Sequence, residues 1–332
     1  MAQSVKGKTA IVTGAGSGKS QVPKSLTIYS NDNGKYKGIN LCFVRLLLQN
    51  GCNCLLADLA LRPEAQATVD QYSISSPRAI FQQTDVTEWS QLDRMFEVAE
   101  KEFGQVDIVC PGAGVFEPPS SSFWYPPGSP ESRDSPFGSR YSALDINLTH
   151  PIRTTQLAIS RFANSKTPKS IVHISSIAGQ GTTLLTPIYS ATKHAINGFV
   201  RSLAKLDQIG IRVTAVAPGF IKTPLWTEHL DKMKTLDESK DVWVTPEEVA
   251  EVMLALVERD QVNEMMLSDS KEAGRIIKIG AGTILEVSKT VRAVSAFNDS
   301  GPLGRAGNSM LSPEETEEEF LRLVQSRSWG KP

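Results

Sequence analysis

The sequence predicts an α/β fold, a doubly wound parallel sheet within a single domain. Three observations carry this. Short β-branched runs alternate with amphipathic helical patterns from Thr9 to Val287, with no internal repeat. The first run, Thr9 to Val12, enters a glycine-rich turn, Thr13-Gly-Ala-Gly-Ser-Gly18. The second, Cys52 to Ala57, ends at an acid, Asp58. Strands separated by helices in this way run parallel and are covered on both faces.

The 332 residues are 40% hydrophobic and 21% charged, which suffices for one large core. A net charge of −1 offers no footprint for nucleic acid or an anionic membrane. Apolar runs such as Leu46 to Leu48 fall far short of a bilayer span, and no signal peptide precedes Lys6, so a cytoplasmic protein is expected. Cys42, Cys52, Cys54 and Cys110 lie in apolar segments without zinc-ligand spacing, as reduced, buried residues do. His150, His173, His194 and His229 form no ligand cluster, so no metal is expected.

Gly14, Gly16 and Gly18 let backbone N–H groups approach a phosphate at a helix N-terminus. A P-loop would need glycine where Thr13 stands, so the dinucleotide pattern fits better, provided that a helix follows. It does not follow at once. Lys19 to Gly38 is polar, holds Pro23 and Asn31-Asp-Asn-Gly34, and has no helical period. A helical pattern starts only at Ile39, with Leu41, Val44, Leu47 and Leu48 on one face. Joining Gly18 to Ile39 restores strand, turn and helix, and Asp58 then falls close to the spacing of about 20 residues expected of a ribose-binding acid. The twenty residues from Lys19 to Gly38 are therefore read as an insertion, and as a translated intron. Gly18-Lys19-Ser20 can be encoded with a donor splice sequence, and Lys37-Gly38 with an acceptor in matching phase. Leu59, not a basic residue, follows Asp58, which favours NAD over NADP.

Ala65 to Tyr72 reads as a helix and Ala79 to Gln83 as a third strand, followed by Asp85-Val86. Glu88 to Phe103 is an amphipathic helix with Leu92, Met95, Phe96 and Ala99 on one face. Val106 to Cys110 is a strand running into Pro111-Gly112-Ala113-Gly114, small enough to admit a cofactor. Phe116 to Phe137, rich in Pro, Ser and aromatic residues, is expected to be an ordered loop over the site, and Tyr141 to Phe162 a long helix carrying Asn147. Arg212 to Val216 is a strand ending in Ala217-Pro218-Gly219, with Thr223 beyond. Pro224 to Val244, with Trp226 and Trp243, lacks a clean period and reads as a substrate lid. Thr245-Pro-Glu-Glu248 caps a helix reaching about Glu258, and Thr283 to Val287 reads as the last strand. Residues 1–290 are assigned to the domain, interrupted at 19–38, and residues 291–332 to a tail whose short helix opens on a capping box at Ser312 to Glu315.

The chemistry concentrates in Ile171 to Phe199. Ile171 to Ser175 is a strand, and Ser176 follows it at the edge where parallel sheets place ligands. After a loop with Gly179, Gly181 and Pro187, Tyr189 and Lys193 stand four apart on one helical face. A phenol with a pKa near 10 is a poor base, but an ammonium a few ångströms away favours the phenolate. Tyr189 then suits general acid/base work on an alcohol or ketone, with Ser176 holding the substrate oxygen.

Together these residues resemble the short-chain dehydrogenase/reductase family, which is NAD(P)-dependent and has a Rossmann-type fold. The resemblance covers roughly residues 5 to 290 and is closest to the 15-hydroxyprostaglandin dehydrogenase-like branch. It implies a glycine motif at Gly14, Gly16 and Gly18, a ribose acid at Asp58, and adenine contacts at Asp85 and Val86. It implies a catalytic tetrad of Asn147, Ser176, Tyr189 and Lys193, with Lys193 also holding the nicotinamide ribose and Asn147 a relay water. Ala113, Gly114, Pro218, Gly219 and Thr223 would complete the cofactor contacts, and a homodimer or homotetramer is implied. Two departures stand out. Pro111-Gly112 replaces the family's Asn-Asn, and the insertion separates the phosphate turn from its helix. The expected function is NAD-dependent interconversion of a hydrophobic secondary alcohol and its ketone. The rival is a silent binding or scaffold protein whose cofactor turn is damaged.

Overall fold

The computed structural model describes residues 3–16, 38–74, 76–221, 223, 242–266, 275–288, 290–296, 314–326 and 329–330. Gly18, residues 19–37 of the insertion, Trp226, His229 and Ser312 lie outside the described residues.

In chain order the strands are β1 (Thr9–Thr13), β2 (Asn53–Asp58), β3 (Ala79–Gln83), β4 (Ile108–Cys110), β5 (Lys169–Ile174) and β6 (Ile211–Pro218). Then come β7 (Gln261–Asn263), β8 (Met265–Met266), β9 (Ile276–Lys278), β10 (Ile284–Val287) and β11 (Thr290–Ala293). The main sheet has the order β3-β2-β1-β4-β5-β6-β10-β11-β8. From β3 to β10 every pairing is parallel, as expected of a Rossmann-like single-domain fold. The chain reverses its direction of travel across the sheet between β1 and β4, and the crevice at their carboxyl ends is where such sheets hold ligands.

Alternation within the strands explains the layers. Val12, Cys54 and Leu56 point to one face, with Leu41, Val44 and Leu47 of α1 (Ile39–Gln49) and with Val249, Met253 and Leu256 of α7 (Pro246–Glu258). Ile11, Leu55 and Ala57 point to the other. There they meet Leu92, Met95 and Phe96 of α3 (Trp89–Phe103), Leu157 and Phe162 of α5 (His150–Phe162), and Ile196 and Val200 of α6 (Pro187–Ser202). A shorter helix, α2 (Pro63–Gln71), links β2 to β3, and α8 (Glu314–Gln325) lays Leu321 and Val324 against the second core. Gly38 is the N-cap of α1, and its carbonyl accepts from Cys42 N at 3.2 Å. The four cysteines are buried and none is in a disulfide. Thr245 closes its capping box: its Oγ1 accepts from Glu248 N at 3.2 Å and its N–H donates to Glu248 Oε2 at 2.7 Å.

Two expectations are corrected. Ile284–Val287 is not the last strand, because β11 pairs antiparallel with it, Val291 opposite Val287, and β8 pairs with β11. Four residues in a polar tail carry too short an alternation to signal a strand; the exposed edge of β10 supplies the pairing partner. The long helix around Asn147 is also not uniform. It opens as α4 (Ser142–Leu144), passes through a π-helical segment (Asp145–Thr149) and continues as α5. Hydrophobic spacing cannot report one extra residue within a turn.

At the amino ends of the central strands, Lys169 Nζ donates to Asp107 Oδ1 at 2.7 Å and to Val106 O at 3.0 Å, with both side chains 3% exposed. Asp107 Oδ2 also accepts from Thr9 N at 3.0 Å, so one carboxylate ties β1 to the start of β5.

Candidate active site

The fold gathers the predicted site residues at the carboxyl edge of the sheet. Gly14 leaves β1, Asp58 ends β2, Ala113 and Gly114 follow β4, Ser176 follows β5, and Pro218 ends β6. Tyr189 and Lys193 lie in the first two turns of α6, which starts at Pro187.

Ser176 is extended and caps a short 3₁₀ turn, its Oγ accepting from Ala178 N at 3.1 Å. Behind it Asn197 of α6 donates to Gly179 O at 2.9 Å. A Cβ at Gly179 would stand 2.8 Å from Lys193 O, so glycine is what lets this loop lie on the helix. The Ser176 hydroxyl faces the Tyr189 phenol closely enough to draw its pKa down. Burial pushes the phenol above its ordinary value, and the Ser176 hydroxyl pulls it partly back. The net shift is therefore upward, against the lowering expected from the sequence. Lys193 Nζ is 5.4 Å from the Tyr189 ring centroid and donates to Ile174 O at 2.8 Å, while burial pulls its own pKa down to about 8. Asn147, inside the π segment, accepts from Val115 N and donates to Val115 O, both at 2.8 Å. Its carboxamide thus holds the chain just beyond Gly114, where a Cβ would sit 3.3 Å from Asn147 Oδ1.

The glycine turn is built to be close to its neighbours. Gly14 has φ +74°, and a Cβ there would lie 2.7 Å from Ala113 Cα. A Cβ at Gly16 would lie 2.1 Å from Ala60 O, so side chains are excluded from both. Gly16 N donates to Asp58 Oδ2 at 2.9 Å and Leu59 N to Oδ1 at 2.7 Å, which fixes the acid against the turn. Glycine at both positions lets the turns after β1, β2 and β4 pack together beside a carboxylate at the end of β2, where sheets of this class hold dinucleotides. Asp85 is held by Thr87, whose N–H and hydroxyl donate to Oδ1 at 2.9 and 2.8 Å. Val86 borders a cavity of about 410 Å³ shared with Trp89, Arg140 and Asp145 and containing none of the predicted tetrad. Gly219 N donates to Val287 O at 2.8 Å, and Thr223 is buried, its N–H donating to Ile221 O at 2.8 Å.

Two features escaped the sequence. Asn40, the second residue of α1, donates through Nδ2 to Gly112 O at 2.9 Å and Gly14 O at 3.3 Å, joining the turns after β1 and β4. A Cβ at Gly112 would fall 2.3 Å from Asn40 Oδ1, so Asn40 and Gly112 are complementary. A lone amide in the apolar run Ile39-Asn-Leu-Cys-Phe-Val44 was the available signal. The second is a buried chain from Ala113 N to Thr13 Oγ1 (3.1 Å) and from Thr13 to His150 Nε2 (3.1 Å), with His150 Nδ1 facing Ile146 O at 3.1 Å. Because Ile146 O can only accept, Nδ1 of the neutral imidazole carries the proton, and Nε2 accepts from the Thr13 hydroxyl.

Burial holds His150 at about 4 and His173, on Thr155 Oγ1 at 3.1 Å, at about 3. Both bind protons more readily when unfolded, so stability is intact above about pH 6.5 and falls as the pH drops below it. Each histidine should remove about 1.4 kcal/mol per pH unit down to its folded pKa. Urea midpoints at pH 7.5 and 5.5 check this; equal midpoints would contradict it.

The profile of the short chain dehydrogenase family matches residues 33–234. The chain belongs to that family. Over 289 residues this short-chain dehydrogenase is 27% identical to 15-hydroxyprostaglandin dehydrogenase [NAD(+)] of Rattus norvegicus, covering 81% of this chain and 93% of the relative. The human protein of the same name gives 27% over the same shares. An uncharacterised oxidoreductase of Staphylococcus aureus (strain USA300) is 28% identical over 258 residues, 77% of this chain and 94% of the relative. The short-chain dehydrogenase described here is an NAD(P)-dependent oxidoreductase acting on CH–OH groups. No helix among its described residues is long and apolar enough to cross a membrane.

Proposed function

We propose that this short-chain dehydrogenase uses NAD to interconvert a hydrophobic secondary alcohol and its ketone, with Tyr189 as the general acid/base. The observation that carries the reading is the convergence of Ser176, at the end of β5, and the Lys193 ammonium, 5.4 Å from the ring centroid, on the Tyr189 phenol. When bound, the nicotinamide supplies the hydride acceptor or donor. Ser176 would orient the substrate oxygen through its hydroxyl, and Tyr189 would take the alcohol proton at its phenol oxygen, or return it to the ketone. Lys193, held on Ile174 O, would favour the phenolate while it carries its proton. Gly14, Gly16, Ala113 and Gly114 would let the backbone approach the cofactor, and Asp58 would accept the adenosine ribose hydroxyls. Phe116 edge-on to Tyr189, with exposed Phe123 and Trp124 close by in sequence, supports an apolar substrate.

The test follows cofactor reduction over a panel of secondary alcohols. kcat/KM with NAD should exceed that with NADP by at least about tenfold, because Asp58 repels a 2′-phosphate, and Asp58→Ser should narrow the gap. Equal use of both cofactors would overturn the assignment of Asp58. No NAD binding and no turnover would favour the silent binding protein instead.

A further inference from the structure

Glu117 is a buried acid, 5% exposed, three residues after Gly114. Its Oε2 accepts from the backbone N–H of Tyr189 at 2.9 Å. Its Oε1 accepts from Phe123 N at 3.0 Å and from Ser122 Oγ at 3.2 Å. Three donors therefore converge on one side chain, a demand that only an acceptor-only group meets in full. The N-cap of α6, Thr186, makes no side-chain cap bond, so Glu117 satisfies an N–H of the first turn from a distant part of the chain. The backbone at Glu117 has φ +36°, a region that favours glycine. A residue chosen for this turn alone would be glycine; the carboxylate is the reason for a side chain here. The same loop makes a second link to the Ser176 side of the site, Trp124 Nε1 donating to Leu184 O at 2.8 Å.

We propose that Glu117 is a positioning residue that clamps the loop 116–124 onto the start of the catalytic helix, so that the substrate-facing loop and the Tyr189 phenol keep a fixed relation. This rests on the reading of Tyr189 given above. The neighbouring Phe116 ring meets Tyr189 edge-on, with centroids 4.7 Å apart, so a loop released from Glu117 would let the ring that packs on the phenol move too.

Two variants test it. Glu117→Gln keeps the size of the side chain but sets an NH₂ against one of the three donors. Glu117→Gly suits the backbone and deletes the clamp. In both, kcat should fall about tenfold and the KM for the alcohol should rise several-fold, with NAD affinity within about twofold. A role in folding alone would lower the melting temperature and the active fraction without moving the alcohol KM. Wild-type kcat and alcohol KM in Glu117→Gln would overturn the proposal. Tyr189→Phe is measured beside them: if it keeps full turnover, the reading of Tyr189 fails, and the clamp is judged by amide exchange alone. Faster exchange at both Tyr189 and Phe123 in Glu117→Gln supports it, and unchanged exchange at either overturns it.

Discussion

Tyr189→Phe is expected to lower kcat by about a thousandfold while leaving NAD affinity within about twofold. The substitution removes one oxygen. The ring would still meet Phe116 edge-on at 4.7 Å and face Lys193 Nζ, and Lys193 would keep its bond to Ile174 O. What disappears is the phenol oxygen facing Ser176, the group proposed above to hold or give up the substrate proton. Because burial raises the phenol, Ser176 and a charged Lys193 must together offset that cost in the working state. With Lys193 at about 8, this assistance would fade as the pH rises past 8. Turnover in Tyr189→Phe close to that of the unaltered protein would remove Tyr189 from the mechanism.

The largest stability effect should come from the amino ends of the central strands. Lys169→Met is expected to cost about 3–5 kcal/mol, because it strands the Asp107 carboxylate in a place where it is 3% exposed. Removing both charges, in Lys169→Met with Asp107→Leu, should recover much of that loss, less the hydrogen bond to Thr9 N. Chemical denaturation of the two variants measures this. A single variant as stable as the unaltered protein would mean that water or another group takes over the carboxylate.

The order of strands and helices was legible because it is written in local periodicity, as in Leu92, Met95, Phe96 and Ala99 along α3. The positions of Ser176, Tyr189 and Lys193 were legible for a related reason: a strand end and one helical turn place them. The groups that hold them were not. Glu117 reaches Tyr189 across 72 positions, Thr13 reaches His150 across 137, and Asn40 spans two turns whose closeness exists only in the folded chain. The direction of the Tyr189 shift was missed likewise, since it depends on burial that no spacing reports.

The π segment sets a rule for chain length. Five residues, Asp145–Thr149, occupy a wider turn than α-geometry would give, and Asn147 meets Val115 from within it. In an α-helix each residue advances the azimuth by about 100°. Deleting one residue between Asp145 and Thr149 would close the wide turn to α-geometry with both flanks still in phase, whereas the same deletion in an even helix would swing the preceding part round its axis by that amount. Ser142, whose N–H and hydroxyl donate to Asp134 Oδ1 at 3.0 and 2.7 Å, would keep its direction, and the loss would fall on Asn147, displaced from Val115. The irregular stretch 126–140 has no such phase to keep. A one-residue deletion at 145–149 is thus expected to cost the site its Asn147–Val115 link while sparing the helical frame on either side.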